Sequence, residues 1–228
     1  MRINADFSKR VVIRPEGYQW VHSPEAGVDR MMLDRIGEEV ARATSLVKYA
    51  PGSDFPPHVH RGGEEFLVLE GVFSDEHHDY PAGTYVRNPI GTKHKPHSGP
   101  GCTILVKLHQ FEHEDQHQKA IDMNNMDLAE TPIDGISAAL LHDTPSERVS
   151  LVKLAPGTPA FHHAHDGGEE VFVLEGVFND EHGAYPKGTW LRMPHGSDHT
   201  TFSEQGCLLY VKSGHIGPDT DFSIRTAQ

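Results

Sequence analysis

Apolar residues along this chain come in short runs punctuated by glycine and proline. Phe66-Leu67-Val68-Leu69 is a continuous apolar stretch bounded by Glu65 and Glu70. It is too short to prefer a helix and fits a strand buried on both faces. Val11-Val12-Ile13, Met31-Met32-Leu33, Thr44–Tyr49, Thr84–Arg87 and Gly101–Leu108 read as further strands. Arg14–Gly17, Ala50-Pro51-Gly52 and Tyr80–Gly83 read as turns between them. Trp20 is expected to pack on a sheet wall as an anchor. The pattern predicts an all-β chain with short connections.

The pattern then repeats. A shift of 105 residues lays 46–108 on 151–213 without a gap, with more than half of the positions identical. Val68–Phe73 meets Val173–Phe178, and Asp75-Glu76-His77 meets Asp180-Glu181-His182. A period this long is too large for a solenoid repeat and has the size of a small β domain. The reading is a tandem duplication: an N-terminal domain over 1–111 including an arm, a linker over 112–130, and a C-terminal domain over 131–228. The segment Glu112–Lys119 is strongly polar and reads as a solvated linker, with room for one helical turn.

Composition narrows the function classes. The chain has 228 residues and a formal net charge of -13, so a phosphate backbone would be repelled and nucleic acid is not an expected partner. No apolar run approaches the ~20 residues of a spanning helix, and the first residues carry no signal-peptide pattern. A soluble cytoplasmic protein is expected. The two cysteines, Cys102 and Cys207, exclude a disulfide framework and a cysteine-rich zinc finger and are expected to be buried free thiols. Histidine is unusually frequent, at 18 residues.

Those histidines concentrate in one stretch and its copy. His58 and His60 are two apart, which on a strand puts both imidazoles on one face. Glu64 follows a Gly-Gly step that lets the chain bend back, and His94 lies in a later loop after Pro89–Lys93. The second half repeats the set as His163, His165, Glu169 and His199, and the 105-residue shift selects His163 over its neighbour His162. Three imidazoles and a carboxylate suit a divalent metal. Burying the carboxylate among histidines without a compensating cation would be costly. Glu65 and Glu170 are the alternates to Glu64 and Glu169, but neighbours on a strand face opposite ways, so one of each pair is expected at the metal. Four protein ligands leave one or two positions open in a five- or six-coordinate site. Iron(II), zinc, manganese, nickel and copper all accept nitrogen and oxygen ligands, and affinity order does not choose among them.

Two further residues are candidates for chemistry. Arg87, matched by Arg192, reads either as an anchor for an anionic substrate or as a salt bridge at the rim. His97, matched by Phe202, reads either as a general acid or base or as a surface histidine. Lys95-Pro96-His97 after the fourth ligand, against Thr200-Thr201-Phe202 in the second half, leads us to expect the first site to be the catalytic one.

Gly52, His58, His60, Glu64 and Gly71 resemble the first cupin motif, and Gly83, Pro89, Gly91 and His94 the second. Gly157, His163, His165, Glu169 and Gly176, then Gly188, Pro194, Gly196 and His199, fill both again. The flanking Gly-Glu-Glu-x-x-Val-Leu-Glu-Gly-Val-Phe-x-Asp-Glu and Tyr-Pro-x-Gly-Thr signatures resemble the ChrR-like cupin subfamily across nearly the whole chain. The resemblance implies a bicupin of two double-stranded β-helix (jelly-roll) barrels, each binding one metal. It also implies two functional readings. Some similar cupins are non-haem iron dioxygenases that cleave diketones or hydroxyketones. The alternative is a zinc-binding sensor or regulatory module, as in the anti-sigma factor for which the subfamily is named. That factor's sigma-binding module carries a histidine and a Cys-x-x-Cys pair, and residues 1–45 contain no cysteine. A small-molecule ligand or substrate is therefore the expected partner, ahead of a sigma factor; self-association as a homodimer is left open.

Overall fold

The computed structural model describes residues 1–218, 220 and 222. Apart from two 3-10 turns at Pro15–Gly17 and Met123–Asn125, its regular elements are strands, all paired antiparallel. The chain forms two compact units. Of the described residues, the first holds 1–5, 19–125 and 222, and the second holds 6–18, 126–218 and 220.

In the first unit the main sheet runs Arg2–Ile3, Val28–Gly37, Ala41–Tyr49, Cys102–Leu108, Glu64–Ser74, Thr84–Asn88, Lys119–Asp122. In the second it runs Ala129–Glu130, Ile136–Thr144, Glu147–Leu154, Cys207–Ser213, Glu169–Asp180, Trp190–Met193, Val11–Ile13. The order is the same, as duplication requires. The long strand Glu64–Ser74 leaves this sheet beyond Gly71 to pair with Asp79–Pro81 and His97–Ser98, and so joins the two sheets of a jelly roll. Gly71 has φ +72, and a Cβ there would stand 2.0 Å from the Gly101 carbonyl oxygen, so only glycine allows the crossing. Gly176 is built alike against Gly206.

The core lies between the sheets, with Phe66, Val68, Phe73, Val86 and Ile104 buried in the first unit and Val171, Val173, Phe178, Leu191 and Leu209 in the second. Leu67 is also buried, so the central run is covered on both faces, though Leu69 at its end is only half-buried. Cys102 and Cys207 are buried free thiols.

Three local expectations are corrected. Residues 112–125 are not a solvated linker but part of the first unit: Asp115 and Met123 are buried, and Lys119–Asp122 pairs with Thr84–Arg87. The arm expected with the first domain likewise divides, because Val11–Ile13 pairs with Trp190–Arg192 in the second unit. Both segments satisfy the backbone groups of a strand that would otherwise be an open edge. Trp20 is 36% exposed rather than packed on a wall, with the Lys48 ammonium 4.9 Å from its ring centre. No helix among the described residues is long and apolar enough to cross a membrane.

Candidate metal centres

Each unit gathers its four expected side chains into one cluster. In the first, one ligand atom from each of His58, His60, Glu64 and His94 lies within 4.8 Å of the others. His163, His165, Glu169 and His199 do the same in the second. Local structure explains the convergence. His58 sits on a two-residue strand opposite His94. The His60 amide donates to the Thr92 carbonyl at 2.8 Å, and its carbonyl accepts from the Gly91 amide at 2.9 Å, which ties the first motif to the loop carrying the fourth ligand. The chain then turns through Gly62-Gly63 to place Glu64. A Cβ on Gly63 would stand 2.3 Å from the Phe111 ring, so the turn is closed against that ring. Gly167 and Gly168 make the equivalent turn with φ +76 and +71, whereas in the first turn only Gly63, at φ +76, takes such a value.

The rings are presented with their Nε2 atoms inward. The Thr92 hydroxyl donates its one proton to the Pro89 carbonyl at 2.7 Å, so towards His60 Nδ1, at 2.8 Å, it is an acceptor. His60 therefore carries its proton on Nδ1 and directs the Nε2 lone pair at the cluster. Ser197 repeats the arrangement, donating to Pro194 at 2.7 Å and facing His165 Nδ1 at 3.0 Å. His58 Nδ1 lies 3.0 Å from the Pro56 carbonyl, which accepts only, so it too is a donor there. His94 Nδ1 faces the Asp75 carboxylate at 3.6 Å and His199 Nδ1 faces Asp180 at 3.4 Å. Such outer partners fix the tautomer and orientation of a metal-ligating imidazole.

This donor set fits a divalent cation. The His60, His94 and His165 Nε2 atoms are buried without a hydrogen-bond partner. Glu64 Oε2 stands 3.2 Å from His60 Nε2 and 3.5 Å from His94 Nε2, while His199 and His163 bring their Nε2 atoms to 3.1 Å of each other. Lone pairs converging at such distances repel unless a cation or a proton lies among them.

The electrostatics agree with neutral imidazoles. Burial lowers His60, His163 and His165 to about 4, helped in each case by neighbouring rings. The two carboxylates differ. Burial acts to raise Glu64, but the surrounding imidazoles and a hydrogen bond from Asn88 outweigh it and hold the group below its usual range. Glu169 has no such support, and burial pushes it up to about 8.

Glu64, not Glu65, joins the first cluster. Glu65 lies on the opposite face and accepts from Arg87 at 2.9 Å and from the Tyr85 hydroxyl at 3.2 Å. Glu170 is placed alike, 3.0 Å from His215 Nε2. Arg87 is fully buried, also donates to Asp115 at 2.6 Å and stacks 4.1 Å over the Phe111 ring. The reading of Arg87 as an anchor for substrate at the metal is therefore corrected: strand alternation turns it away from Glu64 into a structural ion cluster. His97 is half-buried on the strand His97–Ser98, paired with Asp54 and Ser74, and no hydrogen bond or ring contact among the described residues joins it to the metal ligands. Thr92, Ser197, Asp75, Asp180 and Asn88 were not picked out from sequence. The unbroken recurrence of Asp-Glu-His at 75–77 and 180–182 is the signal that marks two of them.

Solved structures of similar fold include a candidate dioxygenase from Nostoc punctiforme (16% identity, 93% of this chain and 86% of that chain, TM-score 0.75). A nickel(II)-bound bacterial pirin from Escherichia coli matches at 11% identity over 90% of this chain and 98% of its own, with TM-score 0.66. A deletion variant of Bacillus subtilis oxalate decarboxylase matches at 13% identity over 89% and 76%, with TM-score 0.58. At such identities the likeness shows the cupin fold alone. No curated protein sequence matches the chain. The family model for the ChrR cupin-like domain, by contrast, matches twice, over residues 8–112 and 116–217. With both halves matched and a four-ligand cluster in each, the chain belongs to the ChrR cupin-like family as a tandem of two such domains.

Proposed function

We propose that this bicupin is a metal-dependent oxidoreductase, a mononuclear non-haem iron dioxygenase acting on a small diketone or hydroxyketone, with the first site as its reaction centre. The observation that carries the reading is the preset three-imidazole, one-carboxylate cluster at His58, His60, Glu64 and His94. Bound iron(II) supplies Lewis acidity and redox chemistry there. The chain's own residues do the rest. Thr92 and Asp75 orient His60 and His94, and Asn88 donates to Glu64 Oε2 at 3.1 Å and keeps that carboxylate anionic. Phe55 packs edge-on against His58 at 5.4 Å and shields the more exposed ligand from water. Lys95 is exposed and His97 sits half-buried beside Asp54 and Ser74, so neither side chain is given a role at the metal.

The test is metal analysis of the full chain purified without added metal, followed by dioxygen uptake by the iron-loaded protein with pentane-2,4-dione and a hydroxyketone as probes. Iron as the resident metal, uptake abolished in His94→Ala and retained in His199→Ala, supports the reading. Loss only in His199→Ala would move the reaction centre to the second site. Resident zinc with no uptake by the iron-loaded protein would overturn the enzyme reading in favour of a zinc-binding sensor or regulatory module.

A further inference from the structure

The two metal clusters are built from the same four ligand types, yet one cross-strand neighbour separates them. Residue 88 stands directly opposite Glu64, and residue 193 directly opposite Glu169. Directly opposed residues on antiparallel strands project from the same face. In the first unit the neighbour is Asn88, whose Nδ2 donates to Glu64 Oε2 at 3.1 Å. That oxygen is the one facing the Nε2 atoms of His60 and His94. The amide of Asn88 is itself held. Gln118 Nε2 donates to Asn88 Oδ1 at 3.4 Å, which fixes the Asn88 amino group as the end that meets Glu64. Gln118 belongs to the segment 112–125, which is part of the first unit. In the second unit the neighbour is Met193, buried and with a side chain that has no N–H or O–H to offer Glu169.

We infer that Asn88, backed by Gln118, is a positioning residue that preorganises Glu64 and makes the first cluster the higher-affinity metal site, so that the chain loads its first half before its second. This rests on reading both clusters as metal sites. A ligating carboxylate held by an outer hydrogen bond is already in place before the metal arrives, whereas Glu169, with a methionine side chain opposite it, must be oriented on binding. Loss of such an outer partner costs on the order of 10–100-fold in metal affinity. A scarce metal would then populate one site per chain, and partly loaded protein would be a defined species rather than a mixture.

The experiment uses the full chain, metal-free, with cobalt(II) as the probe, followed by its visible absorption and by competition with a chelator of known affinity. His199→Ala isolates the first site and His94→Ala the second. The first site should bind about tenfold or more tightly than the second. Asn88→Met in the first-site background should weaken binding by roughly 10–100-fold, and Met193→Asn in the second-site background should tighten it. The gain in affinity is the outcome that a merely structural role for residue 88 would not produce. Gln118→Ala should give a smaller loss and stands in for Asn88→Met if that variant fails to fold. Equal affinities of the two sites, or no change in both Asn88→Met and Met193→Asn, would overturn the inference. No cobalt binding by the unmutated chain would instead overturn the metal reading beneath it.

Discussion

Replacing Thr92 with valine tests how far an outer hydrogen bond shapes the first site. Valine keeps the shape and removes the hydroxyl. Two contacts are lost: the donation to the Pro89 carbonyl at 2.7 Å and the acceptance from His60 Nδ1 at 2.8 Å. At about 1 kcal/mol per hydrogen bond the loss is roughly 2 kcal/mol. The added methyl returns at most about 0.8 kcal/mol by burial, and Thr92 is only half-buried, so the net destabilisation of the metal-free chain should be about 1–2 kcal/mol. The effect on metal is the sharper readout. Without the hydroxyl the His60 ring can place its proton on Nε2, where it blocks the metal. Loss of an outer-shell partner lowers affinity by on the order of 10–100-fold, or roughly 1.4–2.7 kcal/mol. Calorimetric metal binding to His199→Ala protein with and without Thr92→Val measures it. Thr92→Ser is the control, because Ser197 already fills this role in the second site. Binding by Thr92→Val within twofold of its parent, or a serine variant as weak as the valine one, would refute the tautomer argument.

Three further outcomes are expected. The metal-free chain should lose stability as pH falls from about 6.5 to about 4, because unfolded histidines take up protons there while His60, His163 and His165 stay neutral until about 4; urea midpoints across that range read it, and a flat profile contradicts it. Glu169, raised to about 8, acts in the opposite sense, its share of the metal-free chain's stability being lost as pH rises from about 4.5 to about 8; Glu169→Gln should flatten that limb. Arg87→Met removes the guanidinium that Glu65 and Asp115 share inside the protein and should cost about 3–5 kcal/mol in denaturant unfolding of the full chain, far above the ≤1 kcal/mol of a rim salt bridge.

The main strands and the ligand sets were readable because both rest on short-range pattern. Glycine and proline mark the turns, and the histidine spacing recurs at 105 residues. That one of Glu64 and Glu65 faces the metal follows from strand alternation, and the choice of Glu64 follows from its spacing from His60 and Gly71. What escaped were features that depend on distant chain. Lys119–Asp122 looks polar because it is an edge strand, half-buried at Lys119 and Ile121 and open at Ala120 and Asp122, so its sequence resembles a solvated loop. Val11–Ile13 reads as a strand, but nothing local says that its partner is Trp190–Arg192. The place of Trp20 is not legible because an aromatic ring is as well served by Lys48 above it as by a core beneath it. Arg87 was ambiguous because its partner Asp115 lies 28 residues away in the segment that reads as a linker. Asn88 is not legible for a similar reason, since its importance lies in standing across a ladder from Glu64.

We propose that each barrel holds one metal through three histidines and one glutamate. Elemental analysis of the full chain, loaded with a divalent metal and freed of excess, tests it most directly. About two metals per chain are expected in the unmutated protein and about one in Glu64→Gln/His94→Ala, with circular dichroism unchanged. Two metals retained in that double variant, or none bound by the parent, would contradict it.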